Sequence, residues 1–218
     1  MRLFLASQDL GNYAEVLRQL VGAKCRALAV SNAGDYYQDE AKITERVQQT
    51  IDNLSAIGVT AERLDLKPYF GKQAELADFI EQKQVGLIFS TGGNSICLST
   101  AMHESGLDEI IRKGATADKF VYGGYSAGAI VATHDLSLYE VKSRTSASIA
   151  RNVYSFEPHL RGLGLISQYV IPHVNRADQS DTMHERLAKI EQAGAEAICL
   201  NDADVLVVDG DKMEVMRG

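Results

Sequence analysis

Hydrophobic residues along this chain fall into two alternating periods. Short apolar runs at Arg2–Ala6 and Arg26–Val30 read as strands, and the stretch Tyr13–Leu20 between them reads as a helix. From Asp39 to Ile57 the residues Ile43, Val47, Ile51 and Leu54 recur at helical spacing, and Gly58 follows as a residue suited to ending the helix. A strand over Thr60–Leu66 and a helix over Ala74–Gln82 come next. Val85–Ser90 is a continuous apolar run of the kind buried on both faces of a parallel sheet. Helices over Ser95–Met102 and Leu107–Lys113 precede a strand over Phe120–Gly123 and a helix-like Ala129–Ala132. No clear period runs from Val141 to Gly162, which predicts a long loop or short edge strands. Order returns as a strand over Leu165–Val174, a helix over Asp181–Ala193 and strands over Ala197–Leu200, Val205–Val208 and Met213–Met216. The last two are joined through Asp209-Gly210-Asp211 as a hairpin.

This alternation predicts an α/β fold: a doubly wound, mostly parallel sheet flanked by helices, with a C-terminal β-hairpin and ligands beyond the carboxyl ends of the strands. A length of 218 residues with 45% hydrophobic content fits one α/β domain over residues 1–218. The net charge of −7 repels polyanions, so neither nucleic acid nor an acidic membrane surface is an expected partner. Met1–Ser7 is too short an apolar run for a signal peptide, and no later run approaches a membrane span, which predicts a soluble, cytoplasmic protein. Cys25, Cys97 and Cys199 are widely separated and contain no Cys-x-x-Cys pair, so buried free thiols are expected.

The candidate chemistry lies at two glycine-rich strand ends. Gly124-Tyr125-Ser126-Ala127-Gly128 follows an apolar strand and opens a helix, the pattern of a nucleophile elbow. Small residues flank Ser126 because the chain must reverse sharply to expose its Oγ. Thr91-Gly92-Gly93-Asn94 ends the preceding buried strand; there the backbone N–H of Gly93, with that of Ala127, would form an oxyanion hole, and Asn94 would contact substrate.

A serine nucleophile needs a base, and the chain has five histidines. His173 follows Tyr169-Val170-Ile171-Pro172 at another strand end and is the favoured base. His103 and His184 lie among charged helix positions, His134 is local to the elbow, and His159 falls in the irregular segment. For the acid that would orient the imidazole, sequence order alone leaves Glu140, Asp202 and Asp204 open, while Asp178 lies where a helix cap is expected.

At these residues the chain resembles peptidase family S51, the family of dipeptidase E (α-aspartyl dipeptidase) and cyanophycinase. The matching pieces are Ser90-Thr91-Gly92-Gly93-Asn94, Gly124-Tyr125-Ser126-Ala127-Gly128, Gly162-Leu163-Gly164-Leu165-Ile166 and Pro172-His173, in the same order through most of the chain. The resemblance implies a fold like that of class I glutamine amidotransferases, Ser126 as nucleophile, His173 as base, Gly93 and Ala127 as oxyanion donors, and no metal or organic cofactor. It also implies an acid between serine and histidine in chain order, which moves Glu140 ahead of Asp202 and Asp204, although the residues around Glu140 match poorly.

The implied activity is hydrolysis of short peptides, with aspartyl dipeptides as the family's substrate class. On the helix after the histidine, Met183 stands where the family carries an arginine. Arg176 or Arg186 would then be the group available to bind a substrate carboxylate. The expected partner is a small peptide substrate, and a homo-oligomer is left open. An amidase or esterase of the same fold and a non-catalytic binding protein are the competing readings.

Overall fold

The structure, a computed structural model, describes residues 1–141 and 146–218. The strands are β1 (Arg2–Ala6), β2 (Arg26–Val30), β3 (Thr60–Leu64), β4 (Leu87–Ser90), β5 (Val121–Tyr125), β6 (Tyr169–Ile171), β7 (Ala197–Cys199), β8 (Val205–Asp209) and β9 (Lys212–Met216). The α-helices are α1 (Ala14–Val21), α2 (Glu40–Ala56), α3 (Gln73–Lys83), α4 (Ser95–Ser105), α5 (Leu107–Thr116), α6 (Ala127–Ile130), α7 (Ser146–Tyr154) and α8 (Ser180–Gln192). Seven strands form one sheet in the order β3-β2-β4-β5-β1-β8-β9. The first five are parallel, whereas β8 runs antiparallel to β1 and forms a hairpin with β9. The parallel pair β6–β7 makes a separate small sheet.

Side-chain alternation along each strand divides the interior between the two faces of the sheet. Leu3, Leu5, Leu28, Val30, Ile88 and Tyr122 pack on one face with Leu76 and Ile80 of α3 and with the buried residues of α4 and α5. Phe4, Ala6, Ala27, Leu87, Phe89 and Val121 face the other way, onto Leu17, Leu20 and Val21 of α1 and Leu54 of α2. Apolar burial on both faces explains why these strands carry so few polar residues. Local capping sets the helix starts: the side chain of Asp39 accepts the N–H groups of Ala41 and Lys42 at the head of α2, and that of Asn94 accepts those of Ile96 and Cys97 at the head of α4. Gly58, at φ 76°, follows the end of α2 as expected.

Three expectations need correction. The irregular stretch after Val141 contains α7, while its part over residues 142–145 lies outside the described residues. The strand expected over Leu165–Val174 shrinks to Tyr169–Ile171, because the N–H groups of Leu163 and Leu165 bond Val131 and Ala132 at the end of α6 rather than a neighbouring strand. Of the three free thiols only Cys97 is fully buried, and burial pushes it up to about 12. Cys25 and Cys199 are half-buried.

The elbow after β5 is set by a close backbone approach. A Cβ on Gly128 would stand 2.3 Å from the carbonyl oxygen of Ser90, so only glycine lets α6 start against the end of β4. Tyr122, fully buried beneath it, donates its hydroxyl to the Gly128 carbonyl at 2.8 Å. Gly128→Ala is therefore expected to lower stability by about 1–3 kcal/mol through overpacking. A denaturant midpoint equal to that of the wild type would show that the elbow is not packed this way.

Candidate active site

The register β4 Ser90 to β5 Gly124, and β1 Ala6 to β5 Tyr125, aligns three parallel strands so that their carboxyl ends open at one level. The turn Thr91-Gly92-Gly93 leaves β4, Ser126 leaves β5, and Ser7-Gln8-Asp9 leaves β1. The small sheet adds Pro172-His173 after β6 and Asn201-Asp202 after β7.

Ser126 has φ 51° and ψ −109°, a conformation that a residue with a side chain adopts only under constraint. Its N–H is held by the carbonyl of Ala6 at 3.1 Å, and its own carbonyl accepts the N–H groups of Ala129 and Ile130 at 3.1 and 2.9 Å. The Oγ lies 3.0 Å from Nε2 of His173, whose Nδ1 is 2.6 Å from Oδ1 of Asp202. His173 is itself in a left-handed conformation, φ 64°, and its N–H donates to the fully buried Ser7 Oγ at 2.8 Å. That hydroxyl lies 3.4 Å from the Leu200 carbonyl, tying the segments after β1, β6 and β7 together.

The carboxylate of Asp202 is shared. Its second oxygen, Oδ2, accepts from Nε of Arg176 at 2.7 Å, and the Asp202 N–H donates to the Asn175 side chain at 3.0 Å. Burial works to raise the Asp202 carboxyl, but hydrogen bonds and charge from His173 and Arg176 outweigh it, so the group titrates below the ordinary carboxylate range. For His173 desolvation is the largest influence and lowers the imidazole. The Asp202 bond opposes this, the charge of Arg176 reinforces it, and the net result lies below the usual imidazole value of 6.5.

Glu140, favoured from the sequence as the acid, does not meet His173. Its two carboxylate oxygens accept the N–H groups of Ser146 and Ala147 at 3.1 and 2.8 Å, so it caps the first turn of α7. Asp204 is also engaged elsewhere: buried, it accepts from Asn201 N–H at 2.8 Å, Gly218 N–H at 3.1 Å and Arg217 at 2.5 Å. Asn94, expected to touch substrate, is 2% exposed, and its side-chain oxygen is taken up in capping α4.

Gly93, at φ 151°, holds the turn beside the elbow: a Cβ on it would be 2.1 Å from the Ala33 carbonyl oxygen, and one on neighbouring Gly92 would be 3.2 Å from the Ser126 Cβ. Among the described residues the N–H groups of Gly93 and Ala127 donate to no protein acceptor. Met183 is buried in the core, and Arg186, also buried, donates Nε to the Tyr139 carbonyl at 3.1 Å and lies over the Tyr139 ring. The helix after the histidine thus presents neither residue to a substrate. Ser7, a positioning residue, gave no signal in the sequence beyond lying at a strand end.

Ser126, His173, Arg176, Gly92 and Gly93 line a cleft of about 350 Å³ together with Gln8, Asp9, Tyr36, Tyr37, Arg46, Gln49, Thr50 and Tyr125. A larger groove of about 1020 Å³ lies at the opposite ends of the strands, beside Lys24, Arg26, Thr60 and Phe120. Its lining includes Cys25 and Glu81, but the Cys25 thiol bonds the Gly22 carbonyl rather than a base, so the chemistry points to the smaller cleft, where serine, imidazole and carboxylate are in contact. Among the described residues one group has the makings of a metal site, His103, Asp108 and His159, and none of them lines the cleft. There Arg112 already holds Asp108 at 2.7 Å, and the two imidazoles stack 3.8 Å apart at 7°. Lone pairs in two parallel ring planes do not converge on one ion.

Fold and site together define a doubly wound α/β protein with a strained serine elbow at the carboxyl edge of its sheet. The chain belongs to peptidase family S51, whose model matches residues 5–216, and membership supports a peptidase function. A protein provisionally named peptidase E from Listeria monocytogenes EGD-e shares the fold at TM-score 0.75 and 18% identity, over 99% of this chain and 98% of that one. A peptidase from an acI-B1 Actinobacterium aligns at TM-score 0.68 and 20% identity, over 100% of this chain and 87% of that one. Comparison with curated proteins gives no significant match. Among the described residues no helix is long and apolar enough to cross a membrane.

These contacts give an expectation that needs no substrate. By NMR titration the His173 imidazole should have a pKa below 6.5; Asp202→Asn should lower it further, Arg176→Gln should raise it, and Glu140→Gln should leave it unmoved. A response to Glu140→Gln like that to Asp202→Asn would contradict the arrangement.

Proposed function

We propose that this chain is a serine peptidase hydrolysing short peptides, with Ser126 as nucleophile, His173 as general base and acid, and Asp202 as the orienting carboxylate. The observation that carries the reading is the continuous contact from Ser126 Oγ through the His173 ring to Asp202, at 3.0 and 2.6 Å. In the first step His173 Nε2 takes the Ser126 proton as Oγ attacks the scissile carbonyl carbon. The tetrahedral oxyanion receives the N–H groups of Gly93 and Ala127. Collapse breaks the C–N bond, the amine leaves with the proton from His173, and a water activated by the same imidazole hydrolyses the acyl-enzyme. Asp202 keeps the proton on Nδ1 so that Nε2 is free to accept. The cleft volume suits a substrate of two or three residues.

A fluorophosphonate probe should label the wild type and fail to label Ser126→Ala. Against a dipeptide library that includes Asp-X members, Asp202→Asn should lower kcat by about 10⁴-fold if the imidazole is held in the wrong tautomer, whereas Glu140→Gln should change kcat only a few-fold while lowering stability. Labelling that persists in Ser126→Ala, or equal losses from the two acidic substitutions, would refute the assignment.

The acidic limb of kcat/KM follows from the same residues. The imidazole accepts a proton only when neutral, and its pKa is depressed, so activity should rise through a midpoint below 6.5 and level off above it. Arg176→Gln removes a depressing charge and should move that midpoint to higher pH. A wild-type limb above 6.5, or a downward shift in the variant, would count against His173 as the base.

A further inference from the structure

The larger groove, about 1020 Å³, opens where the parallel strands begin, at the edge of the sheet opposite Ser126. Its floor is apolar: Ile80 of α3, Ile110 of α5, and Val85 and Phe120 on the approaches to β4 and β5. Two glycines fix its walls. A Cβ on Gly114 of α5 would stand 2.3 Å from the Phe120 ring, and one on Gly86 would stand 2.0 Å from the Lys24 carbonyl oxygen. The ring therefore lies against the backbone of α5, and the turn before β2 lies against the start of β4.

The rim of this groove is cationic. Lys24, Arg26, Lys113 and Lys119 stand on it with one carboxylate, Glu81. In a chain with 29 acidic and 22 basic residues, that is a local reversal of sign. Lys113 is held by Glu109 at 3.1 Å and lies in the last turn of α5, where a cation also suits the helix end. Lys24 donates Nζ to the Lys119 carbonyl at 3.2 Å, and its charge is felt by Asp118. Arg26 and Lys119 are different. Both are exposed, neither belongs to a helix, and among the described residues neither pairs with a carboxylate. Like charges gathered over an apolar floor repel one another, and an anion with an apolar body relieves the repulsion while covering the floor.

We propose that this groove binds a medium-chain carboxylate, with its chain along Ile80, Ile110 and Phe120 and its head group at Arg26 and Lys119. Charge counting selects a monoanion: Glu81 offsets one of the two unpaired cations and leaves the charge of one. The guanidinium fork takes both carboxylate oxygens, and the ammonium adds a further donor. The site shares no lining residue with the catalytic cleft and stands or falls apart from the peptidase reading.

The experiment titrates the wild type with hexanoate, octanoate, octyl phosphate and 1-octanol, below their aggregation limits, and follows the backbone amide signals of Ile110, Phe120 and Ser126 by NMR. Octanoate should shift Ile110 and Phe120 saturably and leave Ser126 unmoved. Affinity should rise about two- to fourfold per methylene from hexanoate to octanoate. Neutral 1-octanol should bind at least about tenfold more weakly than octanoate, and octyl phosphate no better than octanoate. Arg26→Gln/Lys119→Gln changes two exposed side chains, so the fold is not at stake, and should bring octanoate within about twofold of 1-octanol. Absence of saturable shifts, shifts centred on Ser126, affinity independent of chain length, equal binding of octanoate and octanol by the wild type, a preference for the phosphate, or octanoate affinity unchanged in the double variant would each overturn the assignment.

Discussion

The serine elbow and the turns beside it depend on the register of three parallel strands. Pairing Ser90 with Gly124 and Ala6 with Tyr125 brings the ends of β4, β5 and β1 to one level, and the segments that leave them have nowhere to go but over the carboxyl edge of the sheet. The register is in turn fixed by burial: Phe4 and Phe89 point to one face while Leu5 and Ile88 point to the other, so a slip of one residue would exchange the two cores. The contacts at the elbow follow from this. Ser126 N–H reaches Ala6 because β1 is the neighbour of β5, and Gly128 lies on Ser90 because β4 is the other neighbour.

Such a scaffold can hold local conformations that the chain would not choose by itself. A left-handed residue with a side chain costs on the order of 1–3 kcal/mol, and both Ser126 and His173 are in that region. Each is over-determined by its neighbours: Ser126 by one backbone bond before the turn and two after it, His173 by the Ser7 hydroxyl on its N–H and by two partners on its ring. The strain therefore serves to aim Oγ and the imidazole at each other across elements far apart in sequence.

Periodicity revealed nearly every strand and helix of the main sheet, because both-face burial writes itself as apolar runs bounded by glycine and small residues. The elbow and the strand-end histidine were legible for the same reason. What was not legible depended on contacts with no local signature. Helix α7 spans only nine residues, Ser146–Tyr154, and its first N–H groups are accepted by Glu140 from six residues upstream. Asp202 and Asp204 differ by two positions, yet one turns toward His173 while the other is consumed by Arg217 and the turn it closes. Chain order could not choose between Glu140 and Asp202, since a parallel sheet brings strand ends together regardless of the order in which the chain visits them.

The sharing of Asp202 also bears on which arginine can meet a ligand. One carboxylate lies between an imidazole at 2.6 Å and a guanidinium at 2.7 Å, each on its own oxygen. Such an arrangement gives each carboxylate oxygen a charge-assisted partner and favours the ionised form, but it commits Arg176 to the protein. Drawing Arg176 onto a substrate would strip Asp202 of its second partner and remove the charge that helps hold His173 neutral. A site that used the same arginine for recognition and for tuning its base would change its own proton affinity whenever it bound. Recognition of a ligand's charge by a group outside that network avoids the conflict.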